Sequence, residues 1–327
     1  MRIWPGGTIG ILGGGQLARM LALEALRMGY RIAVVDPDPE GPAMQIAHVR
    51  VPGAFDDPRA AKRLAEKSDV ITLDTEHIPA WLLQQLEAMK PVRPSANVLR
   101  IVQDRLEQRG FLEAQGVPQV RYAPVSDVEG LYTAVKVTGF PCVLKARRSG
   151  YDGKGQVFVG HPDELEGAWR DLGGAPAVME SFVDFEREIS VLLARDLGGN
   201  LRFYPIAENV HRRHILHLTR VPARISARLA SQAQELGAQI ASALGHIGMM
   251  AIEFFVTGRD ELLVNEIAPR VHNSGHYSFG ACVTSQFEQH VRAVCGLPLG
   301  TRRSYGPPSW STCSETSGPR APRPGSR

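Results

Sequence analysis

The sequence predicts a mixed α/β fold, in which a parallel sheet covered by helices comes first and an α+β region follows. Short apolar runs alternate with helical patterns over residues 8–73, an order that is typical of parallel sheets. A glycine-rich turn joins the first predicted strand to the first predicted helix. Later in the chain, apolar runs joined by short polar turns predict hairpins.

The N-terminal part carries the β-α-β-α-β order. Residues 8–12 form an apolar run that predicts a buried strand. Apolar side chains at helical spacing predict a helix over 16–28, and Gly29 suits the position just past its C-terminus. The remaining elements of this part are a strand at 31–35, a helix at 58–67 and a strand at 70–73.

Pro91 and Pro94 mark the end of this part. The helices predicted beyond them cover 98–115, 163–172 and 223–244. The strands predicted beyond them cover 142–146, 156–159, 178–180, 188–193, 249–256 and 261–267. No internal repeat is visible, so we expect distinct subdomains rather than a repeat architecture.

The composition is that of an ordinary globular protein, with 43% hydrophobic and 22% charged residues. No apolar run is long enough to span a membrane and no signal peptide is apparent, so we expect a cytoplasmic protein without a membrane partner. The scattered cysteines Cys142, Cys282, Cys295 and Cys313 predict neither a disulfide framework nor a zinc site. The net charge of +3 comes from arginines after residue 300, so we expect no nucleic-acid partner.

The glycine turn at 13–15 allows three interpretations. It follows a strand and opens a helix, and Asp36 ends the next strand, as in dinucleotide-binding folds. An NAD-dependent oxidoreductase is therefore one alternative. The bare backbone at a helix N-terminus would also suit another phosphate ligand, and a tight turn of small residues needs no ligand. The turn alone does not decide among these interpretations.

A second glycine-rich loop points to a nucleotide. Lys145 ends a predicted strand, and the polar loop at 148–155 contains three glycines together with Lys154. Glycine backbones can approach phosphate oxygens, and lysines neutralise the phosphate charge. The alternative is a solvated hairpin tip without a ligand.

Glu253 and Glu266 lie on two predicted strands joined by a short turn. If residues 259–260 form a two-residue loop, Glu253 faces Glu266 on the same side of the sheet. The same register pairs Phe255 with Val264 and Phe254 with Asn265. Opposed like charges destabilise a sheet, and Mg²⁺ between them would remove the conflict. Alternatively, one carboxylate points to solvent or pairs with Arg270.

These features belong to a series of ordered blocks between residues 8 and 300. The blocks are 10–20, 72–79, 103–105, Lys145 with 150–156, 180–183, 185–188, 208–211 and 265–276. In this order they resemble the ATP-grasp family, and within it the carboxylases of bacterial purine synthesis. The resemblance implies an ATP-dependent C–N ligase that carboxylates 5-aminoimidazole ribonucleotide with bicarbonate, by way of carboxyphosphate. It also implies Mg²⁺ or Mn²⁺ as the metal and a homodimer as the assembly.

The resemblance further implies domains and site residues. The domains are a Rossmann-like domain over 1–97, a first ATP-grasp subdomain with a glycine-rich lid over 98–183, and a second with the metal site over 184–300. The implied ATP-binding residues are Arg105, Lys145, Gly150, Tyr151, Asp152, Gly153, Lys154, Gly155, Gln156, Glu180, Ser181, Phe182, Val183, Glu188, His211, Asn265 and Glu266. The implied ribonucleotide- and bicarbonate-binding residues are Gly15, Gln16, Leu17, Glu76, Tyr151, Asp152, Arg270, His272 and Asn273. Glu253 and Glu266 would hold the metal, and Arg270, Lys145 and Lys154 would act in catalysis.

The chain departs from the family's pattern at residues 301–327. Prolines and serines without apolar periodicity predict a disordered tail in place of the family's small C-terminal domain, and we hypothesise a reading-frame change near residue 300. Two alternatives besides the oxidoreductase stay open. They are a formate-using ATP-grasp ligase and a nucleotide-binding protein without catalytic activity.

Overall fold

The structure is a computed structural model that describes residues 1–148, 155–213, 215–301 and 303. The first sheet is parallel, with the strand order β3-β2-β1-β4. Its strands are β1 (Thr8–Leu12), β2 (Arg31–Asp36), β3 (Val49–Pro52) and β4 (Val70–Leu73), and its helices are α1 (Gln16–Arg27), α2 (Pro58–Glu66) and α3 (Ala80–Glu87). The predicted parallel sheet is therefore confirmed.

Alternating side chains of this sheet pack into different cores on its two faces. Val34 of β2 lies in the core that contains Leu21 of α1, whereas Val35 lies in the core that contains Leu64 of α2. Successive strand residues point to opposite faces, so two covering helices explain why the strands are apolar along their whole length. Strand β3 was not predicted, because it is a short edge strand with only Val51 buried.

The helix predicted over 98–115 is two helices, α4 (Ala96–Val102) and α5 (Arg105–Ala114). The break falls at Asp104, whose side chain accepts a hydrogen bond from the Leu106 amide and so caps α5. The single-helix prediction was wrong because an aspartate at this position competes with the helix for backbone groups.

The second sheet is antiparallel, with the order β5-β8-β6-β7. Its strands are β5 (Tyr122–Val125), β6 (Cys142–Ala146), β7 (Gln156–Val159) and β8 (Ala177–Ser181), and its helices are α6 (Val128–Thr138) and α7 (Leu165–Asp171). This region has a core of its own, which includes Leu131, Leu144 and Trp169.

The third sheet has the order β12-β11-β9-β13-β14, and β10 pairs with β9. Its strands are β9 (Phe185–Arg195), β10 (Leu201–Phe203), β11 (Ala207–Arg212), β12 (Ile215–Arg220), β13 (Gly248–Thr257) and β14 (Leu262–Ala268). The helices beside it are α8 (Ala227–Ala243), α9 (Ser278–Ala281) and α10 (Gln286–Val294). Helix α8 starts later than predicted because Ser226 caps it by accepting from the Leu229 amide.

The first and third sheets share hydrophobic cores. One core joins Leu12 and Leu64 to Val191 and Ile252, so the two sheets form one packed body. Within the described residues, no helix is both long and apolar enough to cross a bilayer. The predicted disordered tail at 301–327 lies outside the described residues, apart from Thr301 and Arg303.

Candidate active site

A cavity of about 960 Å³ lies where the three sheets approach one another. Most of the predicted site residues line it. They are Gln16, Leu17, Glu76, Arg105, Lys145, Gln156, Glu180, Ser181, Phe182, Val183, Glu188, His211, Glu253, Asn265, Glu266, Arg270, His272 and Asn273. Residues that are up to 257 positions apart in the chain thus share one cavity, from Gln16 to Asn273.

Two predicted residues do not line this cavity, and five cannot be placed. The Gly15 amide donates to Asp74 Oδ2 (2.8 Å), so it is not directed at a ligand. The Gly155 carbonyl accepts from the Ala146 amide (2.8 Å) at the base of the second glycine loop. The predicted roles of Gly150, Tyr151, Asp152, Gly153 and Lys154 lie outside the described residues.

The two glutamates meet as predicted, although the turn between them differs from the prediction. Glu253 on β13 is the direct partner of Glu266 on β14. The Thr257 amide donates to the Glu261 carbonyl (3.0 Å), so the loop contains the three residues 258–260 rather than two. A three-residue loop whose last member lies in the left-handed region is a common hairpin connection, and Asp260 has φ of 58°.

A bulge in β14 compensates for the extra loop residue. The register shifts at Asn265, so Phe254 faces Val264 and Phe255 faces Leu263, and the predicted pairs Phe255/Val264 and Phe254/Asn265 were wrong. Beyond the bulge the register returns to the predicted one. Because a bulge breaks the alternation of side chains, Asn265 and Glu266 both line the cavity.

Glu253 is held as a carboxylate near neutral pH only where a positive charge stabilises it. Burial and the facing charge of Glu266 raise the pKa of Glu253 to about 8. His272 does not supply the charge: burial and the charge of Arg270 lower its pKa to about 3, and its Nε2 lies 4.0 Å from Glu253 Oε1. Two carboxylates beside the Asn265 amide form a hard oxygen donor set, which fits Mg²⁺ or Mn²⁺.

No group of three or more His, Cys, Asp or Glu side chains gathers as a metal cage within the part of the chain that the structure describes. Mg²⁺ commonly binds through one or two carboxylates together with the phosphate oxygens of a substrate. The donor set therefore fits a cation that arrives with a nucleotide better than a permanently caged one.

Lys145 also lines the cavity, where it belongs to a buried ionic cluster. Its Nζ is 2.7 Å from Glu180 Oε2, and Arg109 Nε donates to Glu180 Oε1 (2.7 Å). Burial alone would raise the pKa of Glu180, but the charges of Arg109 and Lys145 outweigh it and hold that pKa far below its ordinary value. The cluster fixes the amino group of Lys145 at the cavity wall.

Another part of the cavity wall is both polar and aromatic. His211 Nδ1 lies 2.5 Å from Glu188 Oε2, and His211 is on β11. The ring of Phe185 stacks on that of Phe255 at a centroid distance of 4.6 Å. An aromatic wall beside hydrogen-bonding groups suits a flat base attached to a sugar.

Arg270 and Glu76 form the third polar group of the cavity. Arg270 Nε lies 2.8 Å from Glu76 Oε1, and Nη1 donates to the Val271 carbonyl (3.0 Å). The buried amide of Gln286 accepts from the His272 amide (3.0 Å) and donates to the His272 carbonyl (2.8 Å). The segment that carries Arg270 and His272 is therefore held rigidly against α10.

Two family matches cover most of the chain. Residues 110–287 match the ATP-grasp domain, and residues 7–103 match the ribonucleotide synthetase preATP-grasp domain. A Brucella melitensis relative called N5-carboxyaminoimidazole ribonucleotide synthase is 46% identical over 298 residues, which are 90% of this chain and 82% of the relative. The Bacillus subtilis protein of the same name is 42% identical, over 91% of this chain and 78% of its own length.

The chain belongs to the N5-carboxyaminoimidazole ribonucleotide synthase family of ATP-grasp proteins. The predicted family and fold are thereby confirmed. The structure is similar to the Staphylococcus aureus synthetase in complex with ADP, with a TM-score of 0.89, 37% identity and coverage of 91% and 80% of the two chains. It is also similar to the Aspergillus clavatus synthase in complex with ADP and 5-aminoimidazole ribonucleotide, with a TM-score of 0.86, 31% identity and coverage of 92% and 80%.

The glycine turn at 13–15 has a structural role in this ATP-grasp protein. Asp36 Oδ2 accepts from the Gly14 amide (2.6 Å), and Asp36 Oδ1 accepts from the Asp38 amide (2.8 Å). A side chain on Gly14 would contact Asp36 at 2.9 Å, so the turn requires glycine there. Asp36 is thus committed to the turn and is not presented to the ribose of a dinucleotide, which was the expectation for an oxidoreductase.

Sequence reasoning missed several residues that support this ATP-grasp site. Asp104 Oδ1 and Oδ2 accept from Arg147 (3.0 and 2.8 Å), and Oδ2 also accepts from Arg148 (3.2 Å). These arginines precede the second glycine loop, so α5 fixes the place where that loop begins. Arg109 was missed because its partners Glu180 and Asn265 are 71 and 156 residues away in the chain.

Proposed function

We propose that this chain catalyses the ATP- and bicarbonate-dependent carboxylation of 5-aminoimidazole ribonucleotide to N5-carboxyaminoimidazole ribonucleotide, with release of ADP and phosphate, in the synthesis of IMP. The observation that carries the proposal is one cavity in which Lys145, the Glu253–Glu266 pair and the Arg270–Glu76 pair face a common space. The first two groups suit a nucleoside triphosphate, and the third suits the acceptor of the phosphoryl group, bicarbonate, and the ribonucleotide.

ATP would lie between the second and third sheets. The strand that carries Glu180 to Val183 would hold the base, Glu188 the ribose hydroxyls, and Lys145 with Arg105 the phosphates. His211, which pairs with Glu188, would line the same pocket. Residues 150–156 would cover the phosphates and exclude water, and Lys154 would add positive charge there. Water exclusion matters because carboxyphosphate hydrolyses readily.

Glu253 and Glu266 would hold Mg²⁺, or Mn²⁺ in its place, with Asn265 beside them. When bound, the cation supplies positive charge that stabilises the negative charge of the transferring phosphoryl group. The protein's own contribution here is the fixed spacing of the two carboxylates across β13 and β14.

The acceptor side would bind bicarbonate and the ribonucleotide. Arg270 is oriented by Glu76 and would hold bicarbonate so that its oxygen attacks the γ-phosphorus, giving carboxyphosphate and ADP. The amine of the ribonucleotide then attacks the carboxyl carbon, and phosphate leaves. His272 and Asn273 would contact the ribonucleotide or bicarbonate, and the N-terminus of α1 at Gln16 and Leu17 would lie near the ribonucleotide phosphate.

We further propose that the protein acts in the cytoplasm as a homodimer. The support is the family's role in purine synthesis and the family resemblance described above. Analytical ultracentrifugation of the full chain would give about twice the 35.7 kDa chain mass for a dimer.

The test is ADP release by the full chain with ribonucleotide and bicarbonate together, and with each omitted. We expect release to be fastest with both present and the product to gain a carboxyl group by mass spectrometry. The same assay with formate in place of bicarbonate distinguishes this function from that of a formate-using ligase, because only a formate-using enzyme would give a formylated product.

A pair of matched variants links the activity to the site. Glu266→Gln should lower kcat by about 100-fold or more, because charge stabilisation by a bound cation is worth several kcal/mol. Glu261→Gln is the control, since this glutamate is exposed in the same hairpin and does not line the cavity. If Glu266→Gln were as active as the wild type and as Glu261→Gln, this result would contradict the proposed metal site.

A further inference from the structure

A line of buried polar side chains crosses the third sheet and ends at Glu253. Thr219 on β12 is the direct partner of Asn209 on β11, and Ser190 on β9 is the direct partner of Glu253 on β13. Thr219, Asn209 and Ser190 are 3%, 5% and 0% exposed. Hydroxyl and amide groups buried to this extent in a sheet require hydrogen-bond partners.

Their hydrogen bonds run in one direction. Thr219 Oγ1 donates to Asn209 Oδ1 (3.3 Å), and Asn209 Nδ2 donates to Ser190 Oγ (2.6 Å). Ser190 Oγ is thus an acceptor toward Asn209, which leaves its own hydrogen for the carboxylate of Glu253, the residue directly opposite Ser190 on the neighbouring strand. Each group in the line has the donor or acceptor that its neighbour needs.

Glu253 gains from such a support because a like charge faces it across the sheet. The carboxylate is opposed by Glu266, and a glutamate has three rotatable side-chain bonds through which it can turn away from a like charge. A donor from the adjacent strand fixes one carboxylate oxygen and leaves the other available to a cation. Carboxylates that bind metals are generally held by such outer hydrogen bonds.

We propose that Thr219, Asn209 and Ser190 form a positioning chain that orients Glu253 for the divalent cation that accompanies ATP. This rests on the proposed function, because the cation is the one that the nucleotide brings. None of the three residues touches the reacting atoms, so they act through Glu253 and are positioning residues. Thr219 is the far end of the chain and fixes the amide of Asn209.

The test is Mn²⁺ binding to the full chain in the presence of a non-hydrolysable ATP analogue, measured from the free Mn²⁺ signal in electron paramagnetic resonance. Ser190→Ala should weaken Mn²⁺ binding about tenfold, the lower end of the range for loss of an outer-shell partner. Thr219→Val should weaken it less, and Thr219→Ser should restore wild-type binding because it keeps the hydroxyl.

Ser68→Ala is the matched control. Its hydroxyl is also buried, 2% exposed, but donates to the Leu64 carbonyl away from the cavity. We expect this variant to lose stability without any change in Mn²⁺ binding. Steady-state kinetics give a second measurement: Ser190→Ala should raise the Mg²⁺ concentration needed for half-maximal rate, while kcat at saturating Mg²⁺ stays within about threefold of wild type.

The outcomes separate this inference from the proposed function. If the wild-type protein with nucleotide binds no Mn²⁺, the proposed metal site is wrong, and so is the inference that Thr219, Asn209 and Ser190 orient Glu253 for a cation. If wild type binds Mn²⁺ and Ser190→Ala binds it equally tightly, the metal site stands and the positioning chain is wrong. If Ser190→Ala does not fold, the comparison of Thr219→Val with Thr219→Ser decides, and equal Mn²⁺ affinities of those two variants would overturn the inference.

Discussion

Arg109 holds together parts of the site that come from two different sheets. Its side chain is 2% exposed, and besides the bond to Glu180 it donates to the carbonyls of Val264 (2.8 Å) and Asn265 (3.0 Å). Those carbonyls belong to the bulge that brings Glu266 into the cavity. One guanidinium therefore ties the Lys145 cluster of the second sheet to the carboxylate pair of the third.

Loss of this guanidinium should cost more stability than loss of an ordinary side chain. Arg109→Met leaves the buried Glu180 with one cationic partner and removes a donor from each of two carbonyls, so we expect the free energy of unfolding to fall by about 3 kcal/mol. Urea denaturation measures this change. A variant that unfolds at the wild-type urea concentration would show that Arg109 does not hold these parts together.

The same variant should also weaken ATP binding. Arg109→Lys keeps the charge but cannot reach all the acceptors of a guanidinium, so its KM for ATP should lie between those of wild type and Arg109→Met. Equal KM values for the three proteins would contradict the role of Arg109 in positioning Lys145.

The β13–β14 hairpin shows how a loop and a bulge together determine a site. The three-residue loop alone would offset the strands by one position, and a slip of one residue moves side chains to the opposite face. The bulge at Asn265 restores the register, so Glu253 and Glu266 meet in spite of the longer loop.

Substitution of Asp260 tests the conformation of the three-residue loop directly. It has φ of 58°, which β-branched side chains adopt poorly, so Asp260→Val should lower the free energy of unfolding by about 1 kcal/mol while Asp260→Gly should not. Its ion pair with Arg228 is exposed and 3.8 Å long, so loss of that pair adds little. Thermal unfolding of the two variants checks this, and equal melting temperatures would contradict the assigned loop conformation.

Helix α10 meets β13 and β4 through the buried, uncharged His290, and a second buried histidine, His246, lies just before β13. His290 Nδ1 accepts from the Met249 amide (3.0 Å), His290 Nε2 lies 2.8 Å from Thr72 Oγ1, and His246 Nε2 lies 2.9 Å from the Met249 carbonyl. Burial lowers the pKa of His246 to about 4 and that of His290 to about 3, and the nearby Arg195 adds to the effect on His246.

These histidines should make the protein sensitive to acid. Between about pH 6.5 and pH 4 the unfolded chain binds protons at both histidines and the folded chain does not, so stability falls as the pH decreases through this window. His290→Gln offers an acceptor to Met249 and a donor to Thr72 but cannot be protonated. We expect its stability to fall less steeply than that of wild type in urea titrations at pH 6.5, 5.5 and 4.5, and parallel pH profiles would contradict the prediction.

At the scale of the whole molecule, the sequence predicted the buried strands of the first sheet to within one residue, because their apolar runs are continuous and bounded by turns. It failed where polar residues interrupted or hid the apolar periodicity. Asp104 split a helical pattern, and strands β10, β11 and β12 carry polar side chains that hide their periodicity.

The candidate site was predicted mainly from the ordered sequence blocks that resemble the ATP-grasp family. That resemblance implied roles for residues that no local sequence pattern would have indicated. The Glu253–Glu266 pair could be argued from spacing alone. By contrast, the partners of Arg109 and the line from Thr219 to Ser190 depend on contacts between strands that are remote in sequence. Such contacts carry no periodic signal, so they become visible only in the folded molecule.

The most direct measurement of the central claim follows oxygen from bicarbonate during a single turnover. With ¹⁸O-labelled bicarbonate, ATP and 5-aminoimidazole ribonucleotide, the account predicts one ¹⁸O atom in each phosphate released, because bicarbonate oxygen attacks the γ-phosphorus before the amine takes the carboxyl carbon. Phosphate that contains only unlabelled oxygen, under conditions in which the bicarbonate label is retained, would mean that water takes the phosphoryl group and would contradict the account.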